Sequence, residues 1–321
     1  MRAQQLVEHV GPDGLRLVDI DEPAGNGLVV VDLDAAGVSY PDLLRSKGEY
    51  QERNEVPYVP GAEAAGIVRS TPAGTGLQPG QRVAVLTPTG AWQETVAVHP
   101  HEVFALPEGV STVTAAGILA NYLTSHFALT RRARAVAGEV VLVHGAGGGI
   151  GTAALGLCRA MGLHSIAVVS GPDKAAAAHA AGADVVVGVD GWLDSVREHT
   201  HGRGVDIVLD PVGGDRFTDS VRSLAPEGRL VVLGFVGGDI PVVKVNRLLL
   251  RNAAVLGAGL AELFAHDPRY PQRQWQELSG LLSAGQLVVP PPTVVDLADA
   301  GQALAALESR SAVGKIVLKL R

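Results

Sequence analysis

Residues Val141–Gly151 read V-L-V-H-G-A-G-G-G-I-G, a short apolar run that passes through His144 into a cluster of small residues. Glu139–Val143 is a β-rich run of the kind expected of a buried strand, and Thr152–Met161 is Ala/Leu-rich with a helical look. A glycine turn between strand and helix lets the backbone approach a diphosphate. The helix start adds unpaired N–H groups and the positive end of its dipole. This is the logic of a dinucleotide site. The plain G-x-G-x-x-G spacing is not met: Gly145 and Gly147 fill the first two places, but the third falls on Ile150. Two other frames fit, Gly145-Gly148-Gly151 and Gly145-Gly149-Gly151.

Downstream of the turn, strands alternate with helical segments. Val140–Val143, Ser165–Val169, Asp184–Val187, Val205–Leu209 and Arg229–Gly234 read as strands. Ala153–Met161, Lys174–Ala181, Trp192–His199 and Arg216–Leu224 read as the helices between them. Such alternation predicts a parallel sheet wound with right-handed crossovers. After about Gly259 the pattern changes to a helix at Trp275–Leu282, a Pro-rich strand entry at Pro290–Pro292, a helix at Leu297–Glu308 and a closing strand at Lys315–Leu320. Upstream, the chain is β-rich and dense in turn signals. Leu15–Ile20 alternates poorly, whereas Val29, Val31, Leu33 and Ala35 share one face with Asp32 and Asp34 opposite. The closing strand is expected to return to this first region.

A length of 321 residues suggests about two domains. With 47% hydrophobic and 18% charged residues, a sizeable core is possible. Lys+Arg 26 against Asp+Glu 33 gives −7, which argues against a nucleic-acid surface. The single cysteine, Cys158, has no internal disulfide partner and suits a reducing compartment as a packed core thiol. The N-terminal stretch has no apolar signal region, and no apolar run approaches the ~20 residues that span a bilayer. A cytoplasmic protein is expected.

The frame G-x-x-x-G-x-G also occurs in short-chain dehydrogenases, which need a Tyr-x-x-x-Lys pair. Four residues beyond Tyr40, Tyr50, Tyr58, Tyr122 and Tyr270 stand Leu44, Asn54, Ala62, His126 and Gln274, so that reading fails. The order of a β-rich region, a mid-chain glycine turn and a returning tail, together with AAGVSYPDLLRSKGEY (Ala35–Tyr50), VPYVPGAEAAGIV (Val56–Val68), NYLTSHFAL (Asn121–Leu129), HGAGGGIG (His144–Gly151), DPVGG (Asp210–Gly214) and VVLGFVGG (Val231–Gly238), resembles the zinc-free NADPH:quinone oxidoreductase (ζ-crystallin-like) family of medium-chain dehydrogenases/reductases. The resemblance covers nearly the whole chain. It implies an α/β fold, with a GroES-like catalytic domain from residues 1–119 and 260–321 and a Rossmann doubly wound parallel-sheet domain from 120–259.

Zinc-dependent relatives carry Cys and His where this chain has Ser39 and Ala62, which supply neither thiolate nor imidazole. The H-x-H pairs His99/His101 and His199/His201 lack a nearby thiol. No metal is expected. Many quinone reductases have Asn where Ser39 stands, and some have Tyr where Leu44 stands.

An NAD site wants an acid about 20 residues past the turn. Here the second strand ends Val169-Ser170-Gly171 without one, and Lys174 follows. A neutral strand end beside an ammonium suits a 2′-phosphate, and Ser170 and Lys174 match the family's NADPH pattern. The resemblance adds Gly145, Gly147, Gly148, Gly149, Ile150 and Gly151 at the diphosphate. It places Asn121, Thr124, Leu233, Gly234, Phe235 and Asn246 near the nicotinamide half, and implies Ser39, Tyr40 and Thr124 as catalytic residues and Tyr40 and Tyr50 as substrate contacts.

The implied activity is hydride transfer from NADPH to a quinone in an interdomain cleft. The alternatives are an NADPH-dependent reductase of activated C=C bonds (enone, enal or enoyl thioester), with Tyr40 as proton donor and Arg45 and Lys47 at the mouth, and a non-catalytic NADPH-binding protein. The stretch Val242–Gly259, with Ala253–Leu256 as its strand, is expected to join two copies into a homodimer.

Overall fold

In the computed structural model, which describes residues 1–321, the strand and helix flanking the glycine turn are Val140–Val143 and Gly149–Ala160. The helix therefore takes in the last glycines of the turn rather than starting at Thr152. Val140–Val143 sits near the middle of a six-stranded sheet. The order is Val185–Gly188, His164–Val169, Val140–Val143, Val205–Asp210, Leu224–Val232 and Ala254–Gly257. All neighbouring pairs are parallel. Strands buried on both faces must be apolar throughout; accordingly Val141, Leu142, Val143, Ile207, Val208 and Leu209 are each 0% exposed.

The chain winds outward from Val140–Val143 to one edge, then returns to continue from Val205–Asp210 to the other. The connections diverge between these two strands. In a doubly wound sheet, that switch point opens a crevice at the carboxyl ends of the strands. The helix Trp192–His199 has the expected bounds, and Phe217–Ser223 follows a short turn of helix at Gly214–Arg216.

The chain divides into two units, Met1–Ala120 with Pro291–Arg321, and Asn121–Pro290. The expected boundary near 260 thus lies at 290/291. The helix Tyr270–Ser283 explains the difference. It packs on the parallel-sheet unit: Trp275 and Leu278 are buried, and Gln274 Nε2 donates to Leu123 O at 2.9 Å. Its amphipathic pattern marks a helix but does not say which core it covers.

The other unit is built on a seven-stranded sheet. Its path is Thr293–Asp296, Ile316–Lys319, Val29–Val38, Glu63–Ser70, Arg82–Leu86 and Val103–Ala105, with Thr95–Val98 also paired to Val29–Val38. The closing strand does return here, antiparallel to Val29–Val38. One expectation for that long strand shifts. The register slips between Leu33 and Ala35, so Val29, Val31 and Leu33 enter the core cluster and the next members are Ala36 and Val38, not Ala35. An extra residue in one strand changes the phase of every side chain beyond it. The poorly alternating Leu15–Asp19 pairs only with Arg2–Leu6 in a two-stranded ribbon, and Leu17 is 46% exposed.

Candidate functional site

The glycine turn lies at the switch point. His144 N–H donates to Leu209 O at 3.0 Å and Ala146 N–H to Val168 O at 3.2 Å, which ties the turn to the strands on either side. Gly145 adopts φ +59°, a left-handed conformation that side chains disfavour. Gly147 is closed by its neighbour: an added Cβ would overlap Lys174 Cβ and lie 2.9 Å from Lys174 Cα. At Gly149 the Cβ would overlap Asn121 Nδ2, and at Gly151 it would lie 2.5 Å from Gly145 O. At Gly148 it would meet nothing nearer than Gly145 O at 3.4 Å. The constrained glycines are therefore 145, 147, 149 and 151, which fits the frame Gly145-Gly149-Gly151 and not the one through Gly148.

Gly148 caps the helix Gly149–Ala160 with no side-chain bond. The first-turn N–H groups of Gly149, Ile150 and Gly151 have no partner within their own helix. With Lys174 packed against Gly147 and exposed Ser170 ending the adjacent strand, the turn offers backbone donors, a dipole end and an ammonium stem together. That set suits a diphosphate with a further phosphate nearby. Asp173 sits exposed in the first turn of Pro172–Ala180, where a carboxylate favours the helix dipole.

The helix Leu119–His126 packs on the turn. Asn121 is 6% exposed against Gly149, and Ser125 Oγ donates to Ile150 O at 3.3 Å. Ser125 lies one helical turn from Asn121, a spacing that could have flagged it. Thr124 is half-buried on the same helix.

Across the switch, Asp210 Oδ1 accepts from the N–H groups of Val212 and Gly213, both at 2.9 Å. Its other oxygen is buried without a partner, and burial raises its pKa. The loop after Leu224–Val232 is laced to this turn: Val236 N–H donates to Pro211 O at 3.1 Å and Gly237 N–H to Val212 O at 2.7 Å. Leu233, Gly234 and Phe235 are thereby held beside the Asp210–Gly214 turn, with the Phe235 ring against Gly213. Asn246 instead opens a one-turn helix, Asn246–Leu249, and is exposed.

His144 is fully buried. Its Nε2 lies 2.8 Å from Ser220 Oγ, which donates onward to Arg216 O at 3.0 Å, so Nε2 is the protonated nitrogen. Burial and the nearby Arg216 push its pKa down to about 3, which makes it a neutral structural imidazole. Cys158 is 0% exposed with its thiol pushed up to about 12 by burial, so it is no nucleophile.

In the other unit, Ser39 follows the strand Val29–Val38 and caps the helix Tyr40–Ser46. Ser39 Oγ donates to Asp42 Oδ2 at 2.5 Å, and Ser39 N–H donates to the same oxygen at 2.8 Å. Ser39 itself is half-buried, whereas Asp42 is 2% exposed. Tyr40, also half-buried, packs against the core of this unit. Tyr50 carries the Arg45 guanidinium 4.4 Å from its ring centroid, while Lys47 pairs with Glu308.

A second polar cluster adjoins Val38. Lys315 Nζ donates to Val38 O at 2.9 Å and pairs with Glu63 Oε1 at 2.5 Å, and Glu63 Oε2 accepts from Ala120 N–H at 2.8 Å. None of Asp42, Glu63 or Lys315 was expected. The S-x-x-D spacing of Ser39–Asp42 is a capping-box signal that marks the first.

No group of three or more His, Cys, Asp or Glu side chains is gathered as a metal site. The donors do not suit zinc at Ser39, since its hydroxyl is engaged with Asp42 and Ala62 has no donor atom.

Residues 25–125 match the alcohol dehydrogenase GroES-like domain model and residues 149–283 the zinc-binding dehydrogenase model. Quinone oxidoreductase-like protein 2 of Mus musculus is 32% identical over 310 residues, covering 93% of this chain and 87% of that protein. The structure of a probable oxidoreductase from Mycobacterium abscessus is 42% identical, with TM-score 0.90 over 99% of this chain and 98% of its own. The quinone oxidoreductase from Thermus thermophilus, also solved in complex with NADPH, is 35% identical, with TM-score 0.84 over 100% of both chains.

Proposed function

This chain belongs to the quinone oxidoreductase family of the medium-chain dehydrogenase/reductase superfamily, and we propose that it is a zinc-independent, NADPH-dependent quinone reductase. The observation that carries the reading is the crowded glycine turn at the switch point with Lys174 against it. The fit to NADPH rests on this cradle: the shape of Gly147 and Gly149 leaves room for nothing but backbone, and backbone is what a diphosphate needs.

When bound, NADPH supplies a hydride from C4 of its nicotinamide. Gly145, Gly147, Gly148, Gly149, Ile150 and Gly151 hold the diphosphate, and Ser170 and Lys174 hold the 2′-phosphate. Asn121, Thr124, Leu233, Gly234, Phe235 and Asn246 border the nicotinamide half. Ser39, Tyr40 and Tyr50 face the acceptor. Orientation does most of the work, because a quinone accepts hydride without metal assistance. The one cysteine, buried and unpaired, suits a reducing, cytoplasmic setting.

The strand Ala254–Gly257 is an edge of the parallel sheet, flanked in sequence by the exposed Val242, Val245, Leu249 and Leu250. We place a second copy of the chain there, and a monomer by light scattering at micromolar concentration would remove that part of the reading.

The test is a steady-state assay of metal-free protein, with NADPH and NADH in parallel against 1,4-benzoquinone, a larger naphthoquinone and 2-cyclohexenone. NADPH-dependent quinone reduction is expected. Turnover of the enone alone, lost in Tyr40→Phe, would move the protein to the C=C reductases. Binding of NADPH without turnover of any acceptor would leave a non-catalytic role.

A further inference from the structure

We propose that Asp42 is the proton source behind Ser39, so that the pair, rather than the hydroxyl alone, delivers the proton that completes reduction of a carbonyl acceptor. This rests on the reading of Ser39 as an acceptor-facing residue.

With Asp42 ionised, the Ser39 hydroxyl proton points inward at Asp42 Oδ2, 2.5 Å away. Ser39 then offers an approaching ligand only lone pairs, the wrong polarity for an oxygen that is gaining negative charge. With a proton on Asp42, the bond reverses. The acid O–H donates to Ser39 Oγ, and the hydroxyl proton is free to point outward.

The surroundings favour the protonated state. Asp42 is 2% exposed and its Oδ1 is buried without any partner, so an ionised carboxylate would leave a charged oxygen unsatisfied. The Lys315 ammonium, whose charge reaches Asp42, is already committed: it is bound to Val38 O and to Glu63, which is itself 1% exposed and anchored by Ala120 N–H. Arg45, from the same helix as Asp42, lies over the half-buried Tyr50 ring. Tyr58 also lies near Asp42, with its hydroxyl buried and unpartnered. Among these groups, burial outweighs the Ser39 bonds and the Arg45 and Lys315 charges, and the Asp42 pKa is raised above the ordinary aspartate value.

The reductant is a reduced nicotinamide and the oxidant a quinone. Hydride leaves nicotinamide C4 with both electrons of its C–H bond and bonds to one carbonyl oxygen of the quinone, and the π electrons shift through the ring onto the opposite oxygen. That oxygen takes the Ser39 hydroxyl proton while Ser39 Oγ takes the proton of Asp42. Quinol leaves, and the Asp42 carboxylate regains a proton from water by way of Ser39.

Asp42→Asn tests the proposal. An asparagine with its amide oxygen at the Oδ2 position still accepts from both Ser39 N–H and Ser39 Oγ, but has no proton to transfer. Wild-type kcat should fall as pH rises through the raised Asp42 value. Asp42→Asn should show kcat reduced about 10- to 100-fold, the span of a general acid, and flat over the same pH range. Ser39→Ala, which leaves the backbone bond to Asp42 in place, should be equally flat. A second readout does not depend on turnover: the infrared difference spectrum of wild type minus Asp42→Asn, in which the contribution of the buried Asp210 cancels, should contain the carbonyl band of a protonated carboxylic acid at pH above the ordinary aspartate range. Absence of that band, or an Asp42→Asn enzyme that keeps the wild-type pH profile, overturns the proposal. A wild-type protein that reduces no quinone, with the band present, instead removes the quinone-reductase reading and leaves the protonated pair standing.

Discussion

The glycine turn of the parallel-sheet unit and the Ser39–Asp42 pair of the β-rich unit would reach the functions proposed for them by opposite means. At the turn, chemistry comes from the backbone, and side chains matter by their absence: Gly147 is pressed against Lys174, and Gly149 against Asn121. At Ser39, the proposed chemistry would come from side chains whose state is set by burial, with Asp42 Oδ1 sealed and unpartnered. A backbone site fails when volume is added, whereas a buried polar site fails when a proton or a partner is removed.

The largest expected effect follows from volume. Gly147→Val places a branched side chain where even a Cβ would overlap Lys174. NADPH affinity should fall by about 100-fold or more, equivalent to about 2.7 kcal/mol, in a fluorescence titration. Gly148→Ala is the matched control. Its Cβ would meet only Gly145 O at 3.4 Å, at an ordinary φ of −95°, so affinity should stay within about threefold. Equal losses in the two variants would erase the distinction drawn between the glycines.

Next in size is charge. Lys174→Ala should weaken NADPH about 10- to 30-fold, in line with a lost charge-assisted contact, and leave NADH within about twofold. Parallel titrations of the two cofactors check this, and an equal loss for both would remove Lys174 from the 2′-phosphate.

A smaller effect belongs to the other region. Because the folded-state pKa of Asp42 is raised, the folded protein holds that proton more tightly than the unfolded chain. The stability this contributes is fully present below the unfolded value and is lost as pH rises through the folded one. The Tm of Asp42→Asn minus that of wild type should therefore increase across that window and level off above it. A difference independent of pH would mean that Asp42 is ionised in the fold. The smallest effect is at Cys158: native protein should resist alkylation by iodoacetamide, with labelling appearing only on denaturation.

The same contrast explains what could be read from sequence. The alternating strands and helices were legible because buried parallel strands must be apolar on both faces, and the helix Trp192–His199 emerged with its bounds intact. The glycine turn was legible as a type, but its frame needed three-dimensional neighbours such as Lys174 and Asn121. The slip between Leu33 and Ala35 was invisible, since an extra residue leaves alternation intact on both sides of it. The domain boundary was missed because Gln274, Trp275 and Leu278 show an apolar face without naming its partner. Glu63 and Lys315 lie far apart in the chain, and only the return of Ile316–Lys319 beside Val29–Val38 brings them together. Asp42 alone carried a local sign, its place three residues after Ser39.

The most direct measurement is a single-turnover reaction of the NADPH-loaded protein with 1,4-benzoquinone, followed by loss of reduced-nicotinamide absorbance and repeated with NADPH deuterated at the transferred position of C4. The account predicts decay that requires the protein, is several-fold slower with the deuterated cofactor, and does not change on addition of a chelator. Decay no faster than in protein-free solution, or dependent on added zinc, would contradict it.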